Sequence, residues 1–505
     1  MYFTSYEFIG FLLITLILYY VVPKKAPKWP VLLIMSLLFY ALNGVGALAF
    51  IIGTAAVMFF GALGLERLQE EQQDKIRENG ELTKEEKKEI RKRYGFKKNL
   101  LITVCVAINV GALAFVKIGS LIAVLGISYY TLRAIGYLVD VNRKTVKAER
   151  NFFKFLLYIS FFPVVIQGPL TDYGELTKSL YENHDLSWDN VGRGLLRVVW
   201  GFFKKLVIAD RVFVAVSAIV ENETSYRGVW VLAGMMLYTL ELYADFTGGI
   251  DITIGMSEML GIKVQENFDR PFFSTSLKEY WRRWHITMAA WFKTYLFYPV
   301  SVCPPMKKLL KFTRKHFGER VGKRIPVYLA SAIVWFTTGL WHGFAANYVT
   351  WAMLHFAILM ISEELEPAYA SFHNKCKWAS SRIYRVFMSL RTVFIVSLLM
   401  QFDIFKSVPL FFTRLVSLFG FGGQGLTAGF EAMGLALRDW IILGVGAVLM
   451  LAVSLLKGDG FFRDKLWNKP WILRYGAFAV LFTAILLLGM YGVGYDAGQF
   501  IYTRF

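Results

Sequence analysis

The stretch GALAFIIGTAAVMFFGALGL (residues 46–65) runs twenty residues without a charge, and ERLQEEQQDKIRENGELTKEEKKEIRKRYGFKK (66–98) follows it at once. A helix rises about 1.5 Å per residue, so about twenty apolar residues cross a bilayer core of about 30 Å. The first stretch therefore reads as a membrane span. The second, with eleven Lys/Arg and nine Asp/Glu, reads as a solvated helical hairpin on one side of the membrane.

Working outward, eleven more apolar stretches have span character: 7–22, 30–43, 99–116, 120–139, 152–169, 228–244, 326–341, 343–362, 386–403, 438–456 and 472–493. Segments 194–220, 247–261 and 281–300 are apolar but interrupted by charges or paired glycines, and read as re-entrant or interfacial pieces. Composition agrees. Of 505 residues 56% are hydrophobic and only 18% charged, too little charge to cover a soluble surface. The expected fold is an all-α polytopic membrane protein with about 11–13 transmembrane helices.

The net charge of +19 invites a nucleic-acid reading, which its distribution argues against. Lys24, Lys25 and Lys28 lie in one short loop, and Arg143, Lys144, Lys147 and Arg150 in another. Loop 303–325 has eight Lys/Arg against Glu319 alone. Further basic groups fall at 375–385 and 457–469. Counting crossings puts all of them on one side, which the positive-inside rule makes cytoplasmic, with both termini outside. The N-terminus lacks the basic start and small-residue cleavage site of a signal peptide. Cys105, Cys303 and Cys376 are an odd, scattered set, giving no disulfide framework and no zinc site.

Ionisable groups within spans are functional candidates by default. His342 lies in GLWHG, flanked by Trp341, with Gly339 and Gly343 four residues apart. Either the glycines let a substrate approach the histidine, or they only pack helices around it. His285 lies in EYWRRWHIT; on a helix, Trp281, Trp284 and His285 would share one face. The competing reading is an interfacial Trp–Arg anchor. In YADFTGGIDITIG, Asp245 and Asp251 flank Gly248-Gly249, which reads as a broken helix with Asp245 paired to Arg283 or Arg270 in a structural role. No HxxxH, HExxH, G-x-S-x-G or Walker motif occurs, so no metal site is expected. Asn222 opens a lone N-E-T sequon that chance explains. Buried neutral histidines without a metal set suit general-base work on a hydroxyl attacking an activated acyl group.

Four blocks together carry a resemblance: GISYYTLRAIGYLVDVNR (126–143), ISFFPVVIQGPLTDY (159–173), LYADFTGGIDITIGMSEMLGIKVQENFDRPFFSTSLKEYWRRWHIT (242–287) and GLWHGFAANYVTWAMLH (339–355). In this order they resemble the membrane-bound O-acyltransferase family, and its bacterial branch that serves alginate O-acetylation and teichoic-acid D-alanylation. The N-terminal spans and the final FIYTRF (500–505) also fit.

The resemblance implies a ring of helices around a central funnel and tunnel. It implies a catalytic core at 126–365, between N-terminal spans (1–125) and C-terminal spans (366–505). His342 matches the family's essential histidine and His285 its second one. Asn267 and Arg270 match an NF-x-RP segment; Gly168 and Pro169, after Gln167, match a GP turn. Trp341, Trp281, Arg283, Asp245, Asn267, Arg270 and Gln167 become candidates for binding donor or acceptor, with Gly339, Gly343, Gly168 and Pro169 shaping the site. One departure is WFKTYLFYP (291–299), with Lys293 and Thr294 where relatives often have Arg and Asp.

The expected activity is O-acyl transfer, acetyl first, onto a polysaccharide of the cell envelope. The donor would be a cytoplasmic thioester, acetyl-CoA or an acyl-carrier protein, with no resident cofactor. The basic face 303–325 would suit an acidic carrier or the phosphates of coenzyme A; it would equally serve to set topology. Other expected partners are the bilayer of the plasma membrane and an extracytoplasmic acyltransferase, with no nucleic acid. D-alanyl transfer to teichoic acid and an ion-coupled transporter or flippase are the alternatives. Topology has its own measurement: a single cysteine placed in 66–98 or in 303–325 should resist membrane-impermeant thiol reagents on intact cells, and labelling of both from outside would reverse the orientation.

Overall fold

The computed structural model describes residues 2–78, 82–119, 124–222, 225–405, 407–420, 425–456 and 462–492. The FIYTRF segment and part of the 222–224 sequon lie outside them. Among the described residues every regular element is a helix, apart from one isolated bridge between Phe268 and Trp284. The chain clusters into two compact units, Met1–Leu195 with Thr253–Gln265, and Leu196–Ile252 with Glu266–Phe505.

The first unit begins with α1 (Tyr6–Val21), α2 (Trp29–Asn43), α3 (Val45–Glu78) and α4 (Lys84–Gly119). The charged stretch 66–98 is indeed helical on both arms, α3 running out to Glu78 and α4 starting at Lys84. Then come α5 (Ile127–Arg143), α6 (Phe152–Ser160), α7 (Phe162–Val165) and α8 (Tyr173–Leu180). The expected single span 152–169 is thus replaced by two short helices. Asn151 caps α6 by accepting from the Phe153 and Lys154 amides. A helix continuing through Pro163 would lack its N–H and press its ring against the Ile159 carbonyl, and the chain breaks at Phe161 (φ −49°, ψ 106°). Ser36 on α2 receives the orphaned Phe162 amide at 3.2 Å. Nine residues, the length of α6, reach only about 14 Å, so that segment does not span. Gly126, the N-cap of α5, has φ 71°, and a Cβ there would lie 2.2 Å from the Val165 carbonyl oxygen.

Helix α9 (Trp188–Phe202) passes through a π-helical stretch, Phe203–Ala209, into α10 (Asp210–Glu221). Helix α11 (Val229–Met259) follows and does not break at Gly248-Gly249. That corrects the re-entrant reading. The glycines serve a close crossing instead: a Cβ on Gly201 would lie 2.5 Å from the Gly248 oxygen, and one on Gly248 would lie 2.9 Å from the Gly201 oxygen. Only glycine permits backbones this near.

The charges that interrupt these helices are paired with one another. Arg197 donates to Asp251 at 2.8 Å and, bidentate, to Glu266 at 2.6 Å. Lys204 reaches Asp251 at 2.6 Å and Thr247 at 2.8 Å. Lys205 sits between Asp245 at 2.6 Å and Asp210 at 2.7 Å. The expected partners of Asp245 were wrong: Arg283 pairs with Glu279 and Arg270 lies beside Asp269. The basic residues were hidden in a segment read as re-entrant, and a register of four across a helix crossing is not visible in sequence.

The second unit continues with short helices α12 (Leu277–Arg283), α13 (Ile286–Phe292) and α14 (Tyr298–Val302), with a second π-helical stretch, Lys293–Phe297, between the last two. Helix α15 (Pro304–His342) incorporates the basic stretch 303–325 and turns sharply at Gly318 (φ 73°). It is followed by α16 (Ala346–Glu364), α17 (Glu366–Lys375), α18 (Arg382–Ile404), α19 (Val408–Ser417), α20 (Leu426–Ala432), α21 (Leu437–Leu456), α22 (Phe462–Trp467) and α23 (Trp471–Leu488). Six described helices, α3, α4, α11, α18, α21 and α23, are long and apolar enough to cross a membrane, and α1, α2 and α19 are shorter apolar helices. The architecture is that of a multi-pass membrane protein.

Removing one member of a buried ion pair costs about 3–5 kcal/mol because the other charge is left behind. Lys205→Met, which strands Asp210 and Asp245, should cost about that much, read as earlier loss of the monodisperse peak on heating in detergent. Lys24→Met, which removes only an exposed pair with Asp185, should leave the peak unchanged.

Candidate active site

The second unit contains a cavity of about 380 Å³ whose lining brings His342, His285 and His355 together. Its polar surface is small; most of the wall is aromatic and aliphatic. Helix α15 lines it with Ser331, Val334, Trp335, Thr338 and His342, positions three or four apart that share one helix face. Helix α16 supplies Tyr348, Trp351 and His355 in the same way. The two helices close tightly because of the glycines that flank the histidine. A Cβ on Gly339 would lie 2.9 Å from the Tyr348 oxygen, and one on Gly343 would lie 2.5 Å from the Tyr348 ring. Helix α15 ends at His342, with the Gly343 amide donating to the Gly339 carbonyl at 3.1 Å.

Trp351 links two of the histidines. Its ring centroid is 5.0 Å from that of His342 and 4.9 Å from that of His355. Trp335 stacks on His355 at 5.5 Å, and Trp281 meets His355 edge-on at 5.2 Å. His355 is 1% exposed, and its Nδ1 donates to the Trp351 carbonyl at 2.9 Å. Asp403, at the end of α18, also lines the cavity. Its carboxylate accepts hydrogen bonds from the hydroxyls of Tyr238 and Tyr348.

His285 is held from below by the chain 266–270. This segment runs antiparallel to 283–286, with Asp269 N donating to Arg283 O at 2.9 Å and Ile286 N donating to Asn267 O at 3.0 Å. Helix α12 stops at Arg283, Trp284 is extended, and His285 takes a left-handed conformation at φ 49° before α13 begins. Trp281, Trp284 and His285 therefore do not share a helix face, as the spacing suggested; the turn brings all three to the cavity wall. Asn267 Oδ1 accepts from the Thr287 amide at 3.1 Å and from the Thr287 hydroxyl at 2.9 Å, with His285 Nδ1 at 3.2 Å. An oxygen already accepting from an amide must face a donor, so Nδ1 of His285 carries hydrogen. In the neutral ring the lone pair is then on Nε2.

The other expected site residues fall elsewhere. Trp341 packs 4.9 Å from the His342 ring but is not on the cavity wall. Arg283 forms its pair with Glu279 at 2.6 Å along α12. Asp245 belongs to the buried charge ladder, and Arg270 lines a different cavity. Gln167, Gly168 and Pro169 belong to the first unit. There Gln167 is 1% exposed, and a Cβ on Gly168 would lie 2.4 Å from Val164. Among the described residues no three His, Cys, Asp or Glu side chains gather as a metal site requires.

Sequence reading gave no role to Trp335, Tyr348, Trp351 or Asp403, and the thirteen-residue offset between His342 and His355 argued against their being local partners. Two signals existed. Tyr348, Trp351 and His355 repeat at offsets of three and four, and Asp403 is the one acid of α18, a costly residue in an apolar helix.

Asn267 should control how accessible the His285 ring is. In wild type His285, 4% exposed, should react with diethyl pyrocarbonate far more slowly than the exposed His316 and His373, read by peptide mass spectrometry. Asn267→Ala should speed His285 modification, and Thr287→Val should do so less. Equal rates in all three proteins would remove Asn267 from this role.

The chain has named relatives. It is 32% identical over 258 residues to the probable alginate O-acetylase AlgI of Pseudomonas fluorescens, covering 50% of this chain and 48% of that protein. It is 27% identical over 395 residues to the peptidoglycan O-acetyltransferase of Helicobacter pylori, covering 69% and 67%. It is 26% identical over 281 residues to the teichoic acid D-alanyltransferase of Bacillus subtilis, covering 54% and 67%. The chain thus spans about half the length of the AlgI relative. The family model for MBOAT, the membrane-bound O-acyltransferases, matches residues 146–401, which include both lining segments and all three cavity histidines. The chain belongs to the membrane-bound O-acyltransferase family.

Proposed function

We propose that this protein is an O-acyltransferase of the cell membrane that passes an acetyl group from a thioester donor, acetyl-CoA or an acyl-carrier protein, to hydroxyls of an envelope polysaccharide. The observation that carries this reading is the convergence of His342 and His285 in one largely apolar cavity. The named relatives that O-acetylate alginate and peptidoglycan support the choice of acyl group and acceptor class.

The acceptor hydroxyl attacks the thioester carbonyl as a neutral imidazole takes its proton; a positioned base of this kind contributes about 10²- to 10⁴-fold. The C–O bond forms, the C–S bond breaks, and the leaving thiolate takes the proton back from the imidazolium. His342 fills the base role. His285 presents a fixed tautomer and orients the acyl or acceptor oxygen. Asn267 acts through His285, Trp281 walls the cavity, and Gly339 and Gly343 set its width. Trp341 backs His342. Arg283 and Asp245 hold the scaffold, and Gln167, Gly168 and Pro169 shape the first unit. The basic stretch of α15 docks the donor at the cytoplasmic face, and an extracytoplasmic acyltransferase completes delivery.

A second reading, D-alanyl transfer from a carrier protein to teichoic acid, is favoured by Asp403. A carboxylate on the cavity wall suits the ammonium of a D-alanyl group, which acetyl lacks. The mass of the substituent on envelope polymers, with and without the protein, separates the two. Acetyl is expected, and a D-alanyl difference would replace it. His342→Ala should lower transfer by about 10²-fold or more with the protein still inserted. Full transfer by that variant would sink the base assignment.

A further inference from the structure

The histidine cavity has a third imidazole that the transfer chemistry leaves unused. His355 lines the wall and is almost fully buried. Its Nδ1 donates to the Trp351 carbonyl at 2.9 Å, so the hydrogen is on Nδ1 and, in the neutral ring, Nε2 carries the lone pair. Among the described residues nothing donates to Nε2. The ring is held in place: Trp335 stacks on it at 5.5 Å with an interplanar angle of 8°, and Trp281 meets it edge-on at 5.2 Å. An acceptor fixed in an apolar wall without a donor is unfavourable until a ligand supplies one.

Ser331 is a second group of this kind. It lines the same cavity, and its hydroxyl has no hydrogen-bond partner among the described residues. The other polar groups of the wall are engaged. Thr338 donates to the Val334 carbonyl at 2.8 Å, Asp403 accepts from two tyrosines, and His285 Nδ1 faces Asn267. Ser331 precedes Trp335 by one turn on the lining face of α15, next to the indole that stacks on His355. The wall therefore offers one ring-nitrogen acceptor and one hydroxyl donor as neighbours. A secondary amide carries the complementary pair, an N–H and a C=O.

Both groups lie on one side of His342. Trp335 and Ser331 precede it on α15 by about 10 and 16 Å, toward the end that carries Arg320, Lys323 and Arg324. Trp351 bridges the two imidazoles, 5.0 Å from the His342 centroid and 4.9 Å from that of His355. A ligand that enters from the basic end of α15 and reacts at His342 passes His355 on the way. In the function proposed above that ligand is the thioester donor. Acetyl-CoA and an acyl-carrier protein present the acyl group on the same pantetheine arm, which contains two secondary amides. The nitrogen of the remote amide is eight covalent bonds from the thioester carbon, about 10 Å in an extended chain.

We propose that His355 and Ser331 recognise the pantetheine arm of the donor, with His355 Nε2 accepting from the remote amide N–H and Ser331 Oγ donating to its carbonyl. The assignment rests on the thioester reading, and it holds equally for acetyl and D-alanyl donors because their arms are identical. It sets the depth of the arm, so that the thioester carbonyl stops at His342 in position for attack.

The experiment measures, by calorimetry on the full chain in nanodiscs, the binding of S-acetyl-pantetheine and of an isostere whose remote amide N–H is replaced by an ester oxygen. Wild type should bind the amide about tenfold more tightly, the worth of one hydrogen bond to a buried acceptor. His355→Phe, which keeps an aromatic ring against Trp335 but has no acceptor, should bind the two compounds equally. Ser331→Ala should weaken both, because both keep the carbonyl, and should preserve the preference for the amide. Equal affinity of wild type for the two compounds overturns the inference and leaves the thioester reading standing. A tenfold preference that persists in His355→Phe does the same. Wild type that binds neither compound overturns the thioester reading and this inference with it. The wild-type comparison needs no variant, so it stands even where a variant fails to insert.

Discussion

Charge buried in an apolar protein has to be paired, and this need organises the second unit. Arg197 lies about two helical turns before Lys204 and Lys205, which fall within a π-helical stretch, and Asp245, Asp251 and Glu266 answer them. A π-helix turns more slowly than an α-helix, which lets Lys204 and Lys205 take different acids of α11. The same pairing presses Gly201 against Gly248. Its last member, Glu266, anchors the start of the extended chain 266–270. Asn267 follows immediately and holds His285. A structural ion-pair network is thus connected by a single peptide to the candidate chemistry.

The cavity depends on a different principle. Its polar groups are few and each is fixed by a neighbour: His285 by Asn267, His355 by the Trp351 carbonyl, Asp403 by two tyrosine hydroxyls. Around them the indoles of Trp281, Trp335 and Trp351 fill space with rigid rings at centroid separations of 5.2 to 6.4 Å. Edge-to-face packing of this kind restricts ring motion without adding charge. A site built so holds each polar group in one place within an apolar wall.

Much of the fold was legible because membrane insertion is a one-dimensional problem. The apolar stretches at 46–65, 99–116, 386–403 and 438–456 lie within helices of crossing length, and the stretch at 472–493 overlaps one that ends at Leu488. Local breaks were less legible. Gly248-Gly249 looks like an interruption but serves a backbone crossing, and the real break lies before Pro163 in a stretch that hydropathy alone treats as continuous. Hydropathy sums over a window, whereas a helix ends at one residue.

His342, His285 and their flanking glycines and tryptophans stood out in the sequence because polar or small residues amid apolar runs are costly there and need a reason. That reasoning determined a helical membrane chain, its charged loops and the two histidines worth attention. Only the tertiary structure decided which groups meet. It brought Trp351, His355 and Asp403 to the histidines from separate helices, and it moved Asp245 and Arg270 away from them. The physical reason is range: hydropathy and helical period act over one turn to one span, whereas hydrogen bonds and ion pairs join residues far apart in the chain and depend on how helices cross.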